Sequence, residues 1–475
     1  MRLSGIVLAL ALPFAASADE YAINPQVRKI VDEVSEDRIH AIIQTLVGFG
    51  TRNTMSSQDD PQRGIGAARQ WIFQQFESYS PRLQVRYDKW RVKKKTPRIF
   101  KDVDLYNVIA VLPGKTLPDV QIVVAGHYDS LNLGPPAERA ANTPADSAIG
   151  ERPLPSNWEK NADLPAPGAA DDASGTAAVM ELARVMSRYE FDKTLVFIAF
   201  AGEEQGLVGA TLEAAKAKKE GAAIEAVLNN DIIGTEVSGN GRKGNDAVSV
   251  FSDELLDSPS QQLARYAHTA GERYLPFMKV NVMYMQDRLG RGGDHAAFQQ
   301  EGFAAVRFSS PNEVLANEHH EGDTLENMSV PYTTRVARVN AAVAASLAMA
   351  PRTPDIITES KPAANPAEGS AAPATPPRRL PMITRGGGYD AVLRWRAPET
   401  HLKGFAIVMR STTSPFWERE VFVGKVDEYK LEGMSIDEVR FGVKAIGEDG
   451  VESLVAPYAY PPRQKAEYDT EPMNE

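Results

Sequence analysis

The chain has no cysteine among its 475 residues. No disulfide can staple the fold and no thiolate can hold a metal, so any metal must rest on His, Asp and Glu. Long apolar runs are missing too. The stretch from Ile6 to Ala16 is too short to cross a bilayer, and no other segment reads as a span. Positive charge is not in excess. The 63 acidic and 52 basic residues leave a formal charge of −11, which argues against a nucleic-acid backbone as partner. There is no internal repeat. Apolar content of 43% and charged content of 24% match soluble globular chains, and the length exceeds one ordinary core, so two domains are expected.

The N-terminus carries the first positive signal. Arg2, the apolar stretch and "ASA" at Ala16 to Ala18 have the layout of a secretory signal peptide covering 1–18. The chain is therefore expected to be exported, to a periplasmic or extracellular location.

Residues Glu33 to Leu46 and Gly64 to Phe76 have the apolar spacing of amphipathic helices. Leu83 to Val92 alternates like an edge strand, and Leu105 to Gly114 is a strand ending in Pro-Gly. Four buried-looking strands follow, each with polar residues at its carboxyl end. "VQIVVAGHYDS" delivers His127 and Asp129. "TLVFIAFAGEE" delivers Glu203 and Glu204. "EAVLNNDIIG" delivers Asp231. "AAVRFSSPNEVLANEHHEGDT" delivers His319 and His320. Helical patterns separate them, which predicts an α/β fold: a mainly parallel mixed sheet flanked by helices. Ligands of such sheets sit at the carboxyl ends of the strands, so these side chains should converge. Adjacent carboxylates such as Glu203 and Glu204 repel one another unless cations wait there. "PGAADDASG" adds Asp171 and Asp172 before a helix, where a lone Asp is as often a cap. The Pro- and Ala-rich stretch 131–167 reads as a long loop near the site.

Together "GHYDS", "GAADDASG", "AFAGEEQGLVGA", "NNDIIG" and "HHEGDT" resemble the secreted bacterial two-zinc aminopeptidases, related to glutamate carboxypeptidase and the transferrin receptor ectodomain. The resemblance covers roughly Glu33 to Ala350 and implies a zinc-exopeptidase fold over 19–350. It implies two zinc ions held by His127, Asp171, Glu204, Asp231 and His319. Asp171 would bridge them, with a cis peptide bond to Asp172. Asp129 would orient His127, and Glu203 would be the general base acting on a metal-bridged water. The spacing "HxxxDT" selects His319 over His320 as the ligand. The family's tyrosine before an "SDH" segment is replaced here by "QDRLGRGGDHAAF", where Arg291 is the candidate for stabilising charge; pairing with an acid is the plainer reading of it. Asp294 and His295 are expected to be structural, and His40, His268 and His401 to be ordinary surface or core residues. The implied activity is hydrolysis of N-terminal peptide bonds on a peptide substrate. Carboxypeptidase relatives and a non-catalytic binding ectodomain are the alternatives.

Residues 351–378 form a Pro/Ala-rich linker by composition. Beyond it, "AVLRWRA", "FAIVMRS", "REVFVG" and "VRFGVKAI" predict a small all-β sandwich over 379–463. That unit resembles a fibronectin type III domain, with Trp395 and Tyr429 as core residues. An envelope or protein contact through it is left open. The tail 464–475 is polar and expected to be disordered.

Overall fold

The computed structural model describes residues 23–134, 157–288, 291–314, 316–358, 383–385, 389–397 and 402–459. The signal peptide, positions 135–156 of the long loop, 359–378 of the linker, His401 and the tail lie outside the described residues.

Eight strands form one sheet in the order β1-β2-β4-β3-β5-β8-β6-β7. They are β1 (Gln84–Val92), β2 (Val103–Leu112), β3 (Leu117–His127), β4 (Lys193–Phe200), β5 (Ala223–Asn230), β6 (Ala247–Phe251), β7 (Lys279–Met283) and β8 (Ala305–Ser309). β4, β3, β5 and β8 are parallel, as their continuous apolar runs predict. Every residue of β4 is buried. Leu195, Phe197 and Ala199 enter the larger core, and Val196, Ile198 and Phe200 the smaller one on the opposite face. The larger core is covered by α1 (Pro25–Asp32), α2 (Glu36–Gly48), α3 (Gly64–Tyr79), α4 (Ser174–Met186), α6 (Pro259–Tyr274) and α8 (Val330–Met349). α5 (Val208–Glu220) and α7 (His295–Gln300) cover the smaller. The helix expected over Glu33 to Leu46 is α2, which starts at Glu36, and Glu33 instead closes α1. Ser35 is extended and its hydroxyl accepts the Arg38 N–H at 3.3 Å, starting α2 afresh.

β2 runs antiparallel to β4, pairing Val108 with Ala199 and Leu112 with Leu195. The β1–β2 connection, 93–102, therefore stands at the carboxyl edge of β3, β4 and β5.

The C-terminal unit is a pair of four-stranded antiparallel sheets. One contains β9 (Asp355–Ile356), β10 (Ile383–Arg385), β11 (Ala391–Arg396) and β14 (Glu428–Leu431). The other contains β12 (Leu402–Ser411), β13 (Arg419–Gly424), β15 (Val439–Gly447) and β16 (Ala456–Pro457). Trp395 is fully buried between them, its ring 5.6 Å from that of Phe405. Tyr429 packs against the same core.

The expected start of the linker at Pro351 needs correction. The Pro351 carbonyl accepts from the buried Lys193 ammonium at 3.2 Å, Arg352 pairs with Asp119, and β9 pairs with β11. Composition suggested a free segment, but polar anchors hold Pro351 and Arg352 to the large sheet and backbone pairing holds 355–356 to β11. The two units also meet along α6. Asp257 accepts from Arg265 of α6 and from Arg410 of β12, each at 2.9 Å, and all three are buried. Trp417 donates to Gln262 at 3.2 Å, and Phe416 stacks on His268 at 4.5 Å.

Candidate metal centre

His127 ends β3 and is 1% exposed. Its Nδ1 lies 3.2 Å from the Asp129 carbonyl and 3.6 Å from the Asp129 carboxylate, so Nε2 is turned into the site. Asp129 does more than face the ring. Its carboxylate accepts the Glu203 and Glu204 N–H groups, both at 3.3 Å, and the Thr54 hydroxyl at 3.2 Å. One buried carboxylate thus fixes the turn after β4 as well as the end of β3.

Asp171 sits in a kinked turn before α4, with a cis peptide bond to Asp172. The Asp323 carboxylate accepts the Ala170 and Asp171 N–H groups at 2.8 and 3.0 Å. Arg52, buried, donates to the carbonyls of Tyr128 at 2.7 Å, Pro167 at 2.5 Å and Gly168 at 2.8 Å. These contacts hold the turn that presents Asp171. Asp172 points elsewhere. Its carboxylate accepts Gly175 N–H at 2.8 Å, His127 N–H at 3.2 Å and Ile232 N–H at 3.3 Å, so it caps α4 and ties it to β3 and β5. A Cβ on Gly175 would collide with the Asn230 carbonyl and the Asp172 carboxylate, which requires glycine in "ASG".

The five expected donors converge. Asp171 places Oδ1 3.2 Å from His127 Nε2 and Oδ2 3.0 Å from His319 Nε2. Asp231 Oδ1 lies 3.7 Å from His127 Nε2, and Glu204 Oε2 lies 3.1 Å from His319 Nε2. Donor atoms of His127, Asp171 and Asp231 all fall within 4.8 Å of one another, as do those of Asp171, Glu204 and His319. Two three-donor groups therefore share one carboxylate. His127 Nε2 and Glu204 Oε1 are buried without a hydrogen-bond partner, and such orphaned donors fit a metal. Imidazole and carboxylate are the ligands zinc takes in open sites. His320 is in neither group; its Nδ1 accepts the Gly322 N–H at 3.2 Å. His319 adopts φ +52°, an uncommon left-handed conformation that turns its ring toward Asp171 and Glu204.

Electrostatics agree with a cation site. Burial lowers the His319 pKa, but Glu204 and Asp171 outweigh it and push it up to about 10. Glu203 is half-buried and lies beside the groups without joining either. Burial, with Asp231 and Glu204 nearby, raises its pKa well above the usual carboxylate value. Burial likewise raises Asp294 to about 8; both its carboxylate oxygens lack partners, and neither Asp294 nor His295 joins a donor group.

Two buried cations escaped the sequence reading. Arg52 is one. Arg307, in β8, is the other: Nη2 lies 3.2 Å from Asp231 Oδ1, and Nη1 pairs with Asp287 and donates to Gly292 O at 3.0 Å. A lone Arg in an apolar strand was its available signal. Arg291 is held by Glu313 and Glu318, both at 3.1 Å, which is the acid pairing that competed with a catalytic role.

A model of peptidase family M28 matches residues 107–344. A probable zinc metalloprotease of Pyricularia oryzae is 35% identical over 459 residues, covering 89% of this chain and 82% of the relative. One from Phaeosphaeria nodorum is 32% identical, covering 92% and 88%. These relatives are fungal, whereas the motifs had pointed to secreted bacterial members. LapA of Legionella pneumophila shares the fold at a TM-score of 0.50 and 20% identity, over 69% of this chain and 78% of that one.

Proposed function

The chain belongs to peptidase family M28 and is a zinc-dependent peptidase; from that premise we propose an exported aminopeptidase with two zinc ions, which removes N-terminal residues from peptides. The observation that carries this reading is Asp171, with one oxygen toward each histidine of two donor groups. His127, Asp171 and Asp231 would hold one zinc, and Asp171, Glu204 and His319 the other. Zinc supplies Lewis-acid polarisation and lowers the pKa of a nearby water.

The remaining chemistry belongs to the chain. Glu203 borders both groups and takes the proton from the attacking water, then passes it to the leaving amine. Asp129 holds both its backbone N–H and the His127 ring, so base and ligand are positioned by one group. The guanidiniums of Arg307 and Arg291 are each engaged by two carboxylates, which disfavours them as receptors for a substrate carboxylate.

We place a size-limiting rim at the described ends of the 131–167 loop, 131–134 and 157–167. Its described ends support this: Leu133 N–H donates to the His319 carbonyl at 3.0 Å, and Asn132 donates to Pro165 O at 2.5 Å. The fibronectin type III-like assignment and the export signal rest on sequence pattern. Mature protein beginning at Asp19 would support export.

The deciding experiment compares peptides with free and acetylated N-termini on zinc-loaded enzyme. Cleavage of the free series one residue at a time from the N-terminus is expected. Equal cleavage of acetylated peptides, with release from the C-terminus, would establish the carboxypeptidase direction instead.

A further inference from the structure

Residues 89–101 hold seven Lys and Arg and no acid, in a chain of net charge −11. The pairing of β1 with β2 ends at Val92 and Val103, so Lys93, Lys94, Lys95 and Lys101 lie beyond the ladder. Lysines on an edge strand commonly block pairing with another chain. Beyond the ladder there is no strand edge to protect, so that role does not account for them.

The hairpin tip is fixed at the site. Arg98 Nη1 donates at 3.0 Å to the backbone carbonyl of Glu204, one of the metal donors, and its guanidinium lies 5.1 Å from the Trp158 ring centre. Ile99 is buried with Met55, Val103 and Ala162. Lys95 N–H donates to Ile99 O and Ile99 N–H to Thr96 O, so 95–99 is a tight turn. Such a turn keeps its ends within about 7 Å, which brings Lys95 close to Arg98 and hence to the site rim. The nearby acids are spent: Lys93 pairs with Asp102 and Arg91 with Asp104, both at 2.8 Å. Lys94, Lys95 and Lys101 are exposed; Lys94 gives its backbone N–H to Asp102 at 2.9 Å, and none of the three ammonium groups is in an ion pair among the described residues. A short peptide carries an amine at one end and a carboxylate at the other. The site offers the matching order, carboxylates and metals within and lysines at the rim.

We propose that the 93–102 tip binds a substrate carboxylate downstream of the scissile bond, either the terminus of a short peptide or an Asp or Glu side chain. This rests on the aminopeptidase reading, because it places the amine at the metals.

The test uses zinc-loaded full-length enzyme and two matched sets of neutral-N-terminus-residue peptides. One set compares Leu-Ala-Asp-amide with Leu-Ala-Asn-amide. The other compares Leu-Ala free acid with Leu-Ala-amide. The anionic member of at least one pair should be favoured roughly threefold to tenfold in kcat/KM, through KM, with the preference fading as salt rises. The set that responds identifies the carboxylate. In the double variant Lys94→Glu, Lys95→Glu that ratio should fall to about one or below, and in Lys95→Gln it should fall partway, with zinc content and Tm held. Equal rates within both pairs, or a preference that survives charge reversal, overturn the inference while leaving the aminopeptidase reading intact. No cleavage of any of these free-amine peptides overturns that reading and this inference with it.

Discussion

Glu203 and Glu204 are neighbours in sequence with opposite geometry. Glu204 reaches His319 at 3.1 Å within a donor group, while Glu203 stands outside both groups. Glu204→Gln should therefore weaken zinc retention during dialysis against chelator. Glu203→Gln should keep its zinc and lose turnover by roughly a hundredfold or more. Elemental analysis beside steady-state rates separates the two, and the reverse pattern would exchange their roles. The residues that converge were legible as spaced motifs: His127 ends β3, Glu204 and Asp231 follow β4 and β5, Asp171 precedes α4, and His319 lies in the loop after β8. Arg52, in the polar stretch Thr51 to Thr54, carried no signal, and Arg307, a lone cation in an apolar strand, carried one whose meaning depends on partners that only the fold places. The second task of Asp129 was not legible either, since backbone N–H partners leave no trace in residue identity.

At the scale of elements, α5 and β1 meet through charges. Glu213 of α5 is buried beside Asp88 of β1, and Lys216 pairs with Asp88 at 2.5 Å. Burial, then Asp88, push the Glu213 pKa up to about 8 from an ordinary 4.5. An acid whose folded pKa is raised favours folding most when protonated. Its contribution is complete below about 4.5, and it is lost as pH rises through about 8. Glu213→Gln mimics the protonated form. It should leave stability near pH 5 little changed and raise it near pH 9 by about 1–3 kcal/mol, read from urea unfolding at both values. An equal effect at both would show that Glu213 is not titrating in this range. Strand and helix periodicity revealed these elements well. It placed the start of α2 at Glu33 rather than Glu36, because apolar spacing does not mark the Ser35 cap.

For the whole molecule, two units were readable from the change in composition near Pro351, but their attachment was not. Asp257 binds Arg265 from one unit and Arg410 from the other in a buried site. A buried charge that loses a partner is costly. Arg410→Met should lower stability by about 1–3 kcal/mol, since Arg265 still pairs with Asp257, while zinc content stays the same, because every donor lies upstream. Calorimetry should show the full chain unfolding in one transition, and two resolved transitions would mean the units are uncoupled. A chain ended at Ala350 keeps all the donors yet loses this support, so it should bind zinc with a lowered Tm. Contacts of this kind join residues 153 positions apart, and no local pattern announces them.

The shared carboxylate also governs when activity can begin. One donor group needs residues 127, 171 and 231, and the other needs 171, 204 and 319. A growing chain thus has no complete pair until residue 319 has been made and its loop has met β3, β4 and the turn before α4. Such distant pairings form late, since loop closure must precede the contacts that reward it. On the proposed export, a precursor crossing a membrane unfolded would hold neither donor group complete. The peptidase would switch on only once the sheet had closed and brought these donors together.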